Sequence, residues 1–307
     1  MNETERSSSP AGIDHVLLTR FNLPTGGVEA RIRANEAWLN DRWRLFERYC
    51  APSVARQTVS SFTWIVYFDP ASPAWLRHAI EPYADRGLFH PIFRAEVPTE
   101  TLIGDIRAFA RHPGGTLLTT NLDNDDGIAV DFLERLQAAV DFSDARALYV
   151  VNGLIKGPGG LYLRRDPDNA FCSVAAPWHS PRTSWDDWHI MLGRTMPVVE
   201  VGGPPGWLQV VHGANVSNRV RGRLVGPANW HELFPTLLDD VVEPAAGRLM
   251  RDRLLLAPAR RVRDAGRASV RRTAIALLGK DGMQSLKARL TDMRRHAGAP
   301  AGRRDGR

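Results

Sequence analysis

Apolar residues follow two rhythms along the first 140 positions of the chain. Short runs, Ile13–Thr19 (IDHVLLT), Phe62–Phe68 (FTWIVYF), Leu88–Phe93 and Thr116–Leu122, are apolar with little alternation, the pattern of strands buried on both faces. Between them lie segments with helical spacing. Asn35–Tyr49 puts Trp38, Leu39, Trp43, Phe46 and Tyr49 mostly on one face. Pro73–Asp85 is opened by Ser72 as cap and Pro73 at the first position, and Glu100–Arg111 and Asp126–Val140 follow. Alternating strands and helices predict an α/β fold with a mostly parallel central sheet and right-handed crossovers.

Beyond residue 145 the rhythm changes. Leu148–Ile155 and Leu161–Arg164 flank the turn KGPGG, and Phe171–Ala175, Val198–Val201 and Trp207–Val211 are further short strands, predicting a smaller mixed β part. His231–Leu256 reads as mostly helical with a break near Pro244, and a basic helical segment then fades into a polar end. Residues 1–12 are polar and predicted to be disordered.

Composition narrows the function. At 307 residues and 43% hydrophobic content the chain can bury a proper core, and no run of about 18 apolar residues would span a membrane. The start, MNETERSSSP, does not read as a signal peptide, and Cys50 and Cys172 have neither CxxC nor metal spacing. Buried thiols in a reducing cytoplasm are the expectation. The net charge of +6 is uneven: residues 251–307 carry 14 Arg and 2 Lys against 5 Asp and no Glu, a balance of +11, which leaves −5 on residues 1–250. A mildly acidic body argues against nucleic acid as partner. The basic tail could instead lie on an anionic membrane surface, or be a merely solvated helix.

The chemistry concentrates where Thr116–Asp126 (TLLTTNLDNDD) ends. Three carboxylates, Asp123, Asp125 and Asp126, within four residues repel one another unless a cation or an exposed turn relieves them. Asp-x-Asp at a strand end suits a Mg²⁺ or Mn²⁺ ion shared with substrate phosphates, and the pleat would send Asp123 and Asp125 to the same side. Asp126 can alternatively cap the following helix. An EF-hand is excluded, because Gly127 at its sixth position would put Leu122 at the first. There is no GxGxxG and no GxxxxGK[ST]. Ligands of parallel sheets bind at the carboxyl ends of strands, here Arg20–Asn22, Asp69 and Asp123–Asp126.

Two constellations follow in the second half. SWDDWHIML sets Asp186, Asp187 and His189 among Trp185 and Trp188, where a carboxylate could take a proton from a sugar hydroxyl; the alternative is a helix start capped by Ser184. WLQVVHGANVSN places His212 at a strand end, with Asn215 and Asn218 after it. A lone His there is usually an ordinary hydrogen-bonded residue, but a carboxylate site lacking a nitrogen ligand raises its interest.

HVLLTRFNLP (15–24), WLNDRWRLFERYCAPSVARQT with FTWIVYFD (38–69), TTNLDNDDGIAVDF (119–132) and WLQVVHGANVSN (207–218) together resemble the rhamnosyltransferase family of bacterial glycosyltransferases with a GT-A-type fold. The resemblance covers roughly residues 13–235 and leaves the tail outside. It implies a 13–240 domain with a nucleotide-binding half (13–145) and an acceptor half (146–240), followed by a basic tail over 241–307. It also implies a nucleotide-sugar donor of the dTDP-rhamnose kind, a glycan or lipid-linked acceptor, and Mn²⁺ or Mg²⁺ as cofactor. Carried onto this sequence, Asp123 and Asp125 would hold the ion with His212 as a further ligand. Thr19, Arg20, Phe21, Asn22, Asp69, Asp123 and Asn124 would contact the donor. Asp187 or Asp186 would be the base of an inverting transfer, with Trp185, Trp188, His189 and Asn215 near the acceptor. Asn121 stands where an arginine is expected. Two other readings remain: a non-catalytic carbohydrate-binding protein, and a metal-dependent phosphohydrolase, which would want more His and Asp ligands than the chain offers.

Overall fold

The computed structural model describes residues 12–24, 36–141, 143–212, 220–264 and 266. The predicted disordered N-terminus up to residue 11, the glycines at 26 and 27, Asn215, Asn218 and the tail beyond 266 lie outside them.

The strands β1 (Ile13–Arg20), β2 (Thr63–Phe68), β3 (His90–Phe93) and β4 (Thr116–Asn121) form the parallel part of a seven-stranded sheet. β6 (Arg146–Val150), β9 (Ser173–Pro177) and β10 (Val198–Val201) complete it, in the order β10-β6-β9-β4-β1-β2-β3. Only β9 runs against its neighbours β4 and β6. The mostly parallel α/β sheet expected of a GT-A-like fold is therefore present. A second sheet is built from β5 (Gly127–Ile128), β7 (Asn152–Gly157), β8 (Gly160–Arg165), β11 (Trp207–Val210) and β12 (Arg223–Val225), in the order β12-β8-β7-β11-β5.

The helices α1 (Glu36–Leu45), α2 (Ala51–Ala55), α3 (Ala74–Asp85), α4 (Thr99–Arg107), α5 (Phe132–Ala138) and α6 (Ala246–Arg251) complete the described elements. The aromatic face read from the sequence buries Trp43 against Phe21 and Phe46 against Phe21, Trp64 and Phe89, with ring centroids 5.5–5.8 Å apart. Between α1 and α2 the backbone widens into a π-helical turn, Phe46–Cys50, in which the Ala51 N–H bonds Phe46 O five residues back. Pro52 follows at once, so the ladder changes register where the chain is about to lack a donor. Both cysteines are buried free thiols, and burial chiefly pushes Cys172 up to about 12 and Cys50 well above its ordinary value.

Several expected boundaries move. Leu148–Ile155 is not one strand: the chain leaves the large sheet after Val150 and enters the small one at Asn152, because Val151 bonds Val201 O and Asp166 N across the junction. The segment expected to be helical from Asp126 first pairs as β5 with β11, and the helix begins at Phe132. Ser72 does not cap α3; its hydroxyl donates to Asp69 O and accepts from Asn22 Nδ2. His231–Asp240 forms turns, so helix in that region begins only at Ala246.

Gly153 of β7 lies under the Trp207 ring, and a Cβ there would meet Trp207 Cδ2 at 2.0 Å. Gly153→Ala is expected to lower the urea midpoint, costing about 1–3 kcal/mol by overpacking. Gly104→Ala, inside α4 with nothing within 4 Å of the new methyl, should instead be stabilising by about 0.5–1 kcal/mol.

Candidate active site

At the carboxyl edge of the large sheet, Leu122 N still bonds Leu18 O, and the chain then turns back with Asp126 N on Asp123 O. The strand ends before the aspartates, so the pleat does not align them, and each meets a different environment. Asp123 is exposed to a cavity but ringed by protein. Desolvation in that recess, then the Asp125 charge, raises its carboxyl above the ordinary range. Asp125 is buried and forms an ion pair with Arg42 of α1, with His212 Nε2 3.0 Å from the same oxygen. Burial raises its carboxyl, but the His212 hydrogen bond and the Arg42 charge outweigh that and hold it below the usual range. Asp126 is buried and accepts the Val210 N–H at 2.8 Å; it caps no helix. Burial, together with Asp125 and Asp123, drives its carboxyl well up.

The cavity at this edge has a volume of about 590 Å³. It is lined by Arg20, Asn121 and Asp123 at the strand ends and by Ser184, Trp185, Asp186, Asp187, Trp188 and His189 of the segment that packs beside them. The 184–191 segment is a series of turns, not a capped helix. Asp186 organises it, pairing with Arg182 and accepting from Thr183 N (3.1 Å) and Thr183 Oγ1 (2.7 Å). Ser184 N donates to Thr119 Oγ1 of β4, and Trp185 Nε1 to Asn121 Oδ1 at 2.8 Å. The Arg20 guanidinium then lies 3.8 Å from the centre of the Trp185 ring. Asp187 Oδ1 accepts the Trp188 N–H. His189 donates from Nδ1 to Asp168 O at 2.6 Å, since a carbonyl can only accept, and this fixes its tautomer.

Arg20, Asp123, Asp186, Asp187, Trp185, Trp188 and His189 are thus brought together around one cavity. Of the other described residues proposed for the site, Thr19, Phe21, Asn22, Asp69, Asn124, Asp125 and His212 do not line it. Thr19 accepts from Trp64 Nε1, and Phe21 belongs to the aromatic core. Asn22 and Asp69 bind one another and Ser72. Asn124 is a clamp, donating to Phe21 O at 2.6 Å and Arg20 O at 3.3 Å, so that the acidic turn and the end of β1 are fixed together. Among the described residues no group of three or more His, Cys, Asp and Glu is arranged to hold a metal ion.

Sequence reasoning missed Arg164, Asp166, Gln209 and Arg221 on the wall, and read Ser184, whose buried hydroxyl has no hydrogen-bond partner among the described residues, only as a helix cap. It also missed Asn169, which knots the β8–β9 loop by donating to Val150 O and Asp166 O. Only the turn sequence DPDN at 166–169 signalled a loop there.

A family model described as putative rhamnosyl transferase matches residues 14–224. The chain belongs to that family. A comparison with curated proteins found no match. Among solved structures the chain is similar to S. aureus TarS, with a TM-score of 0.37 and 14% identity over 64% of this chain and 37% of that one. It is also similar to S. aureus TarS 1–349 in complex with UDP, with a TM-score of 0.39 and 12% identity over 75% and 67%. A third is the inositol-1-phosphate CTP transferase from T. maritima, with a TM-score of 0.35 and 10% identity over 76% and 99%. The chain therefore spans little more than a third of the first of these proteins.

Removing one partner of the buried ion pair in this family member leaves the other charge stranded. Arg42→Met is expected to cost about 3–5 kcal/mol in urea unfolding, and adding Asp125→Asn to it should recover most of that loss.

Proposed function

We propose that the chain transfers a sugar, rhamnose by the family it belongs to, from a nucleotide-sugar donor to a hydroxyl of a glycan or lipid-linked acceptor, inverting the anomeric carbon. The observation that carries this reading is that Asp123 and Asp187 share one cavity with Arg20 at the carboxyl edge of a parallel sheet.

In this mechanism the donor diphosphate lies toward Arg20 and Asp123. Asn121 is committed to Trp185 Nε1 and Ala170 O and adds no charge, so Arg20 on the neighbouring strand supplies the positive charge at this edge. Asp187 takes the proton of the acceptor hydroxyl as its oxygen attacks the anomeric carbon. The bond from that carbon to the diphosphate breaks on the opposite face, and its electron pair leaves with the nucleoside diphosphate. Asp186, bound by Arg182 and Thr183, positions the segment and does not act as base.

Mn²⁺ or Mg²⁺ fits Asp123 together with the donor's own phosphates, since such ions commonly take one or two carboxylates and complete their shell with phosphate and water. Asp125 is already paired with Arg42 and hydrogen-bonded to His212, and ligation through Asp125 or His212 would require opening that cluster. A bound ion supplies Lewis-acid stabilisation of the departing diphosphate. Trp185 and Trp188 on the wall also favour a second reading, a carbohydrate-binding protein without catalysis, which predicts sugar binding independent of nucleotide.

A thermal shift with a panel of nucleoside diphosphates and Mn²⁺ separates the two readings, since a ligand at 100 times its Kd adds about 2.7 kcal/mol. Stabilisation that disappears in Asp123→Ala is expected; stabilisation by free sugars alone would favour the binding protein. With a donor panel followed by mass spectrometry, Asp187→Asn should retain the nucleotide-induced shift and lose about 10²–10⁴-fold in transfer. Undiminished transfer would move the base elsewhere.

A further inference from the structure

Beyond α6 the helical backbone continues through a π-helical turn, Asp252–Leu256, and on through 257–264. This helix is amphipathic in the inverse sense. Its inward side is largely polar: Asp252 accepts Leu224 N at 2.8 Å and Arg260 Nη2 at 2.6 and 2.8 Å. Arg260 also donates to Gly222 O and lies over the Tyr162 ring, and Asp264 stands 3.8 Å from Arg164. Its outward side is apolar, with Met250 61%, Leu254 63%, Leu255 63% and Val262 76% exposed. Exposed Arg251, Arg253, Arg261 and Arg263 flank these side chains, while both acidic residues of the segment, Asp252 and Asp264, are turned inward.

Exposed apolar side chains gathered on one helix point to a docking surface. Its rim selects the occupant. Four exposed arginines with no exposed carboxylate among them complement an anionic surface, and would repel their counterparts in a two-fold dimer. The strip carries no aromatic ring for base stacking, which disfavours single-stranded nucleic acid. We infer that residues 246–264 lie on an anionic lipid surface, leucines at the acyl boundary and arginines among the headgroups, in the manner of interfacial helices. The sequence beyond 266 adds nine Arg and two Lys against three Asp, of the same sign. Among the described residues no helix is long and apolar enough to cross a membrane, so this contact lies on the bilayer and does not span it. The inference stands apart from the proposed sugar transfer, although Arg164, which lines the cavity and faces Asp264, places the helix beside the cavity wall.

The test is flotation of the full chain with vesicles of phosphatidylcholine alone and of phosphatidylcholine mixed with phosphatidylglycerol. Binding to the anionic vesicles is expected, with little to the neutral ones. Leu254→Glu with Leu255→Glu should lower partitioning at least about tenfold. Arg261→Gln and Arg263→Gln should each lower it about fivefold. All four positions are exposed, and an unchanged melting temperature verifies the fold of each variant. Absence of binding, equal binding to neutral vesicles, or binding unaltered by the leucine pair overturns the inference. So does light scattering that finds a dimer split by the leucine variant, which would assign the strip to a second copy.

Discussion

Three carboxylates packed into four residues at the end of a buried strand impose the constraint around which this fold is arranged. Like charges so close cannot all stay ionised in a poor solvent without a specific answer to each. The chain answers each differently: the Asn121 amide at 3.4 Å for Asp123, Arg42 and His212 for Asp125, and a backbone N–H of β11 for Asp126. α1, the small sheet and the large sheet are thereby tied to a single turn. Asn124 adds the end of β1 to the same knot, which sets where Arg20 can reach.

The strands of the first half were legible because burial on both faces demands unbroken apolar runs, which a surface helix or a loop would leave in contact with water. The break at Val151 was not legible, since both flanks are apolar and only hydrogen bonds to Val201 and Asp166 decide where the chain changes sheets. Asp126 followed by a helical pattern reads locally as a cap. Pairing of Gly127 and Ile128 with β11 overrides that preference, because it gives the Asp126 carboxyl a donor that the start of a helix would also have supplied. At the site, the clusters at 123–126 and 184–189 were visible as residue types in unusual density. Their division of labour was not, because it depends on partners such as Arg42, which along the sequence is one more charge on the solvent side of an amphipathic helix.

Trp185 shows how one side chain can join the two clusters. Its indole N–H is spent on Asn121, its face carries the Arg20 guanidinium, and the Tyr67 ring packs against it at 5.5 Å. An arginine in place of Asn121 would lose that amide acceptor and with it one anchor of the 184–189 segment. Asparagine at 121 therefore exchanges local charge for the placement of Trp185, and the charge is supplied from Arg20 on the adjacent strand.

The Arg42–Asp125 pair is better understood as geometry than as stability. Desolvating two charges offsets most of their attraction, so a well-packed apolar pair of similar volume would hold the fold about as firmly. An apolar pair would not hold His212 at the strand end beside the acidic turn, nor keep Asp125 from sharing the cavity with Asp123. With Asp125 fixed by a cation from the protein itself, the charge presented to a bound ligand at this turn comes from Asp123 alone. A single carboxylate there, set against an arginine stacked on tryptophan, would repel the diphosphate of the proposed donor less than a free pair of aspartates.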